Sequence, residues 1–184
     1  GRAAEAFAGA LDRVPSLDAA RTGLEGLLGD LASDEALYRT SVEALERAYR
    51  ATGAWERSLG IVPARLRAAK ENGDRATIYM EAADLEENKA RDPGLAAVSN
   101  WKAFCIAAER ASVASELLRR TRLSGRWDVV APGLLEALGG RAVADSVARD
   151  LLVEASDWAL REDPSTTRAL ALLEAALVRC PGDV

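Results

Sequence analysis

The chain has 184 residues, of which 49% are hydrophobic and 29% charged, and its formal net charge is −5. A mildly acidic surface repels a phosphate backbone, which argues against nucleic-acid binding. Histidine, the commonest metal-binding side chain, is absent, and no uncharged apolar run approaches the ~18 residues that predict a membrane-spanning helix.

Apolar residues recur at helical spacing along almost the whole chain, and no segment shows sustained period-two alternation. After Gly53, for example, Trp55, Leu59, Val62 and Leu66 follow one another at intervals of four or three. The sequence therefore predicts an all-α fold. The predicted helices, in chain order, lie near residues 3–13, 17–31, 35–52, 55–72, 74–91, 94–108, 110–124, 127–139, 141–162 and 166–180.

Glycine and proline residues mark the predicted helix boundaries. Gly53 and Gly73 suit the left-handed position just past a helix end, and Asp74 then offers an N-cap. Asp92-Pro93 and Asp163-Pro164 each predict a proline near the first turn of a helix, where its missing N–H costs little.

Two prolines fall inside predicted helices. Pro63, with Gly60 nearby, interrupts 55–72, and Pro132-Gly133 interrupts 127–139. An interior proline removes a backbone donor and crowds the preceding turn, so we expect a kink at each position.

The chain also contains an internal repeat of 72 residues. Leu45-x3-Tyr49-x3-Gly53-x-Trp55 recurs as Leu117-x3-Thr121-x3-Gly125-x-Trp127. Similarity at a fixed period is typical of stacked helical repeats, in which each unit covers the apolar face of its neighbour. We therefore expect Trp55 and Trp127 to be largely buried.

These motifs resemble the tetratricopeptide repeat, a family built from antiparallel helix pairs with small and large apolar residues at fixed places. A matching second-helix pattern appears at Ala169, Leu173, Ala176 and Leu177, before a closing turn at Pro181-Gly182-Asp183. The resemblance implies a right-handed α-α superhelix, or α-solenoid, of about ten antiparallel helices. It would form a single domain over 1–184, a fragment of a longer array, with helix pairs at 3–31, 35–72, 74–108, 110–139 and 141–180.

The resemblance further implies a non-catalytic scaffold that presents a concave groove, lined by first helices, to a peptide or protein partner. The residues two and five positions after the leucine of each first helix would face that groove. They are Arg47, Arg50, Arg119 and Arg122. Guanidinium groups bind carboxylates well, so an acidic partner is one option.

Local charge spacing separates these four arginines into two sets. Glu residues stand four positions before Arg47 and Arg50, where they can form ion pairs along the helix. Ser115 and Leu118 occupy that offset before Arg119 and Arg122, so we expect the second pair of arginines to be freer.

The remaining polar and sulfur-containing residues have simpler interpretations. The acidic run Glu81, Asp84, Glu86 and Glu87 is predicted to be a solvated helix face rather than a catalytic or metal site. Cys105 and Cys180 are predicted to be small core residues. No catalytic residue, metal ligand or cofactor site is predicted.

Two alternatives to a scaffold stay open at this point, a helical module that senses a small ligand and an all-α enzyme. Copies of the chain could also associate end to end through exposed terminal stripes. The dominance of arginine over lysine, with abundant alanine, is typical of GC-rich bacterial genomes. The compartment is left open, with the cytoplasm favoured.

Overall fold

The computed structural model describes residues 1–164 and 166–180. Every regular element in these residues is helical and none is a strand, which confirms the all-α prediction. None of the helices described combines the length and the apolar character needed to cross a bilayer. The chain divides into two compact units, Gly1–Ile78 and Tyr79–Val184.

The first unit is built around a long central helix, α3. Its helices are α1 (Arg2–Arg13), α2 (Asp18–Leu27), α3 (Glu35–Thr52), α4 (Trp55–Gly60), α5 (Val62–Ala68) and the beginning of α6 (Asn72–Asn88). A short 3-10 helix at Asp30–Ser33 precedes α3. Helix α1 packs against α2 and α3, and α5 packs against α3. Leu24, Leu45 and Tyr49 are fully buried in the core of this unit.

The second unit contains the remainder of α6 and six further helices. They are α7 (Pro93–Ala107), α8 (Ala111–Ser124), α9 (Trp127–Val130), α10 (Leu134–Leu138), α11 (Asp145–Glu162) and α12 (Thr167–Arg179). Helix α8 packs against α7 and α11, and α11 packs against α12. Phe104, Leu117, Leu134 and Leu151 are fully buried in the core of this unit.

The 72-residue repeat extends from the sequence motif to the backbone. Helix α3 is followed by Gly53 at φ 65°, and α8 is followed by Gly125 at φ 71°. The next helix begins two residues later in both cases, at Trp55 and at Trp127. Glycine is required at these two positions because a Cβ disfavours the left-handed conformation.

The predicted proline kinks are complete breaks between short helices. Helix α5 begins at Val62 with Pro63 in its first turn, and α10 begins 72 residues later at Leu134, after a 3-10 turn at Ala131–Gly133. Proline is accommodated better at the start of a helix than at a kink, because the N–H groups of the first turn have no acceptor within the helix.

The boundary prediction at Gly73 and Asp74 is wrong. Gly73 lies in the first turn of α6 rather than past a helix end, because α5 already ends at Ala68; Asp74 is therefore a first-turn residue and not the N-cap. Pro164 lies near the start of a helix as predicted, just before α12, whose N-cap Thr166 accepts from the Arg168 N–H through its hydroxyl at 3.2 Å.

The other Asp-Pro pair behaves as predicted. Pro93 begins α7, and the Asp92 carboxylate caps it by accepting from the Leu95 N–H at 2.9 Å. The predicted turn at Pro181-Gly182-Asp183 lies outside the described residues.

Burial also departs from the sequence-based expectation. Trp127 is buried as expected, but Trp55 is only half-buried. The short helix α4, in which Trp55 lies, contains no buried residue. Cys105 is exposed and Cys180 is half-buried. Helix α7 carries apolar residues around most of its circumference, so their spacing did not identify Cys105 as lying off the buried face.

Candidate functional site

The exposed face of α8 borders an open groove of about 440 Å³ in the second unit. Its lining residues are Ser115, Leu118, Arg119, Arg122 and Leu123, and we refer to it as the α8 groove. Leu123 is 60% exposed, whereas Leu118 is buried at 7%. The groove therefore combines apolar surface with two of the four arginines selected from the sequence.

Arg119 is held in place by α6. Its Nη1 and Nη2 atoms donate to the two carboxylate oxygens of Glu87 at 2.7 and 2.6 Å, and its Nε donates to Glu116 at 2.9 Å. The bidentate pairing fixes the plane of the guanidinium. The hydrogen bond from Arg119 lowers the pKa of Glu87 to about 2; burial opposes this effect and a second bond from Arg120 adds to it.

Arg122 is held in place by α11. Its Nε donates to Glu154 at 2.7 Å, and its Nη2 lies 3.4 Å from an oxygen of Asp150. These contacts, foremost the bond to Glu154, raise the pKa of Arg122. The expectation that Arg119 and Arg122 would be freer than the other two arginines is therefore wrong. Glu116 lies only three positions before Arg119, a spacing that the argument from four-residue offsets did not consider. The remaining partners lie about 30 residues away in sequence, beyond the reach of an argument from spacing along one helix.

Beneath the groove, α8 contributes a buried cation that the sequence reading missed. The Arg120 side chain is only 2% exposed. Its Nε donates to Glu87 at 2.9 Å and its Nη1 to the Asn100 amide oxygen at 3.0 Å, while its Nη2 donates to Asp84. The Asn100 amide in turn donates to the Val113 carbonyl at 3.0 Å. This polar cluster joins α6, α7 and α8.

The sequence did carry a signal for Arg120. It stands three residues after Leu117 and seven after Val113, so it shares their helical stripe, and both of those residues are fully buried. A charged residue on a core stripe requires a buried counter-charge. Asp84 and Glu87, spaced three apart on α6, supply that charge.

The acidic run of α6 is consequently not the uniformly solvated face that was predicted. Glu87 is only 16% exposed, although Asp84 stays 63% exposed. Burial raises the pKa of Glu86, against the effect of a hydrogen bond from Ser99, and the Glu86 Oε2 atom is buried without a hydrogen-bond partner.

The other two predicted arginines lie on α3 in the first unit. Arg50 donates to Glu46 at 2.8 Å, which is the four-residue ion pair expected from the sequence. Arg47 donates instead to Asp12 on α1 at 2.9 Å. Neither residue lines a groove comparable to that of α8 among the cavities described.

Across residues 1–164 and 166–180, no cluster of three or more cysteine, aspartate or glutamate side chains has the arrangement of a metal site. Comparison of the chain with protein-family models, curated proteins and solved structures gives no significant match. The tetratricopeptide resemblance thus stays a prediction, and a function has to be argued from the geometry of the site.

Proposed function

We propose that the chain is a non-catalytic, tetratricopeptide-like scaffold that binds a segment of another protein in the α8 groove. The observation that carries this proposal is the groove itself, in which Leu123 is 60% exposed beside two guanidinium groups. Exposed apolar surface next to fixed hydrogen-bond donors is the composition typical of an interface centre, where an apolar anchor contributes affinity and polar groups set orientation.

The arginines are positioned before a partner arrives. Glu87 and Glu116 hold Arg119, and Glu154 holds Arg122. Little side-chain entropy is then lost on binding. Among the described residues, the Nη1 atom of Arg122 has no hydrogen-bond partner, so it can still donate to an incoming acceptor.

This arrangement defines the chemistry of the partner. An apolar side chain fits against Leu118 and Leu123, and an adjacent carboxylate accepts from Arg122. Because Glu87 already occupies Arg119 in a bidentate pair, one partner carboxylate is favoured over a strongly acidic tract. The proposed partner is therefore a short segment that places an acidic residue next to an apolar one.

The experiment is a selection of displayed random peptides on the purified chain, followed by titration of the enriched sequences. The test variant is Arg122→Gln with Leu123→Asp. The matched control is Arg168→Gln with Leu170→Asp on α12, where Leu170 is 59% exposed and lies outside the groove.

We expect the enriched peptides to share an apolar–acidic pair and to lose at least ~10-fold in affinity with the groove variant, but not with the control. Circular dichroism should show that both variants are folded. Equal binding by the groove variant, or peptides without the apolar–acidic pair, would contradict the proposed site.

A further inference from the structure

The first unit contains a second cavity, of about 400 Å³, which the proposed docking surface does not use. It is bordered by α3, by the segment that follows α5, and by the first turns of α6. Val42 and Ile78, both buried, contribute apolar wall. Its volume lies within the range of about 300–1,000 Å³ that is typical of small-molecule sites.

One part of the cavity lining is cationic and incompletely satisfied. Arg39 donates to Glu35 at 3.3 Å, and the Lys70 ammonium lies 3.7 Å from the same oxygen atom. The solvent-exposed Glu35 carboxylate is thus the shared ion-pair partner of two cations. The Arg39 Nε atom is in addition buried without a hydrogen-bond partner. A ligand carboxylate placed here would satisfy that donor and balance the second positive charge.

The lining also contains carboxylates, which are interleaved with these cations. Glu43 stands one helical turn after Arg39 on α3, Glu71 follows Lys70 in the connection, and Asp74 lies in the first turn of α6. None of these three carboxylates forms an ion pair with another of the described residues. A ligand ammonium group would be attracted to them, and it can donate to as many as three acceptors.

We propose that this cavity binds a small zwitterion with a free ammonium and a free carboxylate group, such as an amino acid or a dipeptide. The carboxylate lies against Arg39 and Lys70, the ammonium lies among Glu43, Glu71 and Asp74, and the apolar portion packs on Val42 and Ile78. A simple amine leaves the cations of the lining unmatched and a simple acid leaves its carboxylates unmatched, so each binds more weakly than the zwitterion.

The test is isothermal titration of the whole chain with L-alanyl-L-leucine at low ionic strength. Two blocked forms of this dipeptide, the N-acetyl form and the C-terminal amide, each remove one charge. We expect each blocked form to bind at least ~10-fold more weakly than the free dipeptide, and all binding to weaken in high salt.

Two variants connect each ligand charge to the residues that bind it. In Arg39→Gln with Lys70→Gln, the free dipeptide and its amide should bind equally, because both cations that contact the carboxylate have been removed. In Glu43→Gln with Asp74→Asn, the difference between the free and the N-acetylated dipeptide should shrink. Arg13→Gln and Glu5→Gln on α1, both at exposed positions outside the cavity, are the matched controls.

Absence of binding up to about 10 mM dipeptide overturns the proposal, as does binding that is insensitive to both blocking groups. The blocked ligands test the wild-type chain directly, so the proposal stays falsifiable even if Arg39→Gln with Lys70→Gln does not fold. The α8 groove takes no part in this assay, so its outcome is independent of the proposed docking function.

Discussion

Replacing Arg120 by Met tests whether the buried polar cluster stabilises the second unit. Methionine keeps the unbranched apolar stem but removes all hydrogen bonds from the guanidinium. The Asn100 amide oxygen, in a fully buried residue, then loses its donor, which costs about 1–3 kcal/mol. Loss of the charge-assisted bond to Glu87 adds about 1.5 kcal/mol.

The bond to Asp84 adds little to this sum. Asp84 is 63% exposed and is rehydrated when its partner is removed, so its share is about 0–1 kcal/mol. Glu87 keeps its bidentate pairing with Arg119, so no buried charge is left uncompensated. We therefore expect Arg120→Met to lower the free energy of unfolding by about 3–5 kcal/mol.

The assay is urea unfolding followed by circular dichroism and tryptophan fluorescence. Three of the four tryptophans, at positions 101, 127 and 158, lie in the second unit, so fluorescence reports mainly on the affected part of the chain. The matched control is Arg119→Met on the same helix. Arg119 is 46% exposed, so its loss should cost no more than about 1 kcal/mol.

A double-mutant cycle with Asn100→Leu isolates the contact between the two residues. Once Arg120 is gone, removing the orphaned amide is less costly, so the double variant should be about 1–2 kcal/mol more stable than additivity predicts. Additive effects, or a cost below about 1 kcal/mol for Arg120→Met, would refute the argument that this cluster is a stabilising unit.

Two further predictions concern residues next to this cluster. The pKa of Glu87 is lowered from 4.5 to about 2, so the unfolded chain binds more protons than the folded chain between these values. The free energy of unfolding should therefore fall by about 1–2 kcal/mol as the pH drops through this window. In urea unfolding at a series of acidic pH values, Glu87→Gln should lose this pH dependence, whereas the control Glu5→Gln should retain it. Thr121 is fully buried, and its hydroxyl has no hydrogen-bond partner, so Thr121→Val should raise the thermal midpoint and stabilise the chain by about 1 kcal/mol. The control Thr40→Val, at an exposed position, should change the stability by less than about 0.5 kcal/mol. A destabilised Thr121→Val variant would show that the hydroxyl is hydrogen-bonded in solution.

The features that could be predicted from the sequence are those that depend on backbone chemistry over a few residues. Gly53 and Gly125 end helices because only glycine adopts the left-handed conformation easily. Pro63 interrupts a predicted helix because it lacks an N–H, although the interruption is a new helix start at Val62 and not the expected kink. Helix content and most boundaries follow from such local rules. Gly73 was misplaced because a glycine is tolerated in a first turn as well as past a helix end, and local rules do not separate the two.

The candidate site depended on contacts that such rules do not describe. Arg119 and Arg122, which the tetratricopeptide resemblance assigned to a partner groove, line the α8 groove, but their acidic partners on α6 and α11 come from distant parts of the chain. The cavity bordered by α3 and α6 depends on which side chains approach one another in space, and no motif marks it.

In each copy of the repeat motif, a polar side chain links two adjacent helices, but the residue that forms the link stands one position earlier in the second copy. In the first copy, the position four residues after the leucine is Tyr49, whose hydroxyl donates to Glu25 on α2. Burial, more than any other cause, raises the pKa of Tyr49 to about 12. In the second unit that position is Thr121, whose hydroxyl is unpartnered, and the polar link is made one residue earlier by Arg120. The first unit has Ala48 at the position of Arg120. A buried polar link between adjacent helices is thus present in both units, while the residue that makes it has moved by one position. A comparison of matching positions alone would miss this shift, because Thr121 stands where the first copy has Tyr49 and yet its hydroxyl makes no polar contact.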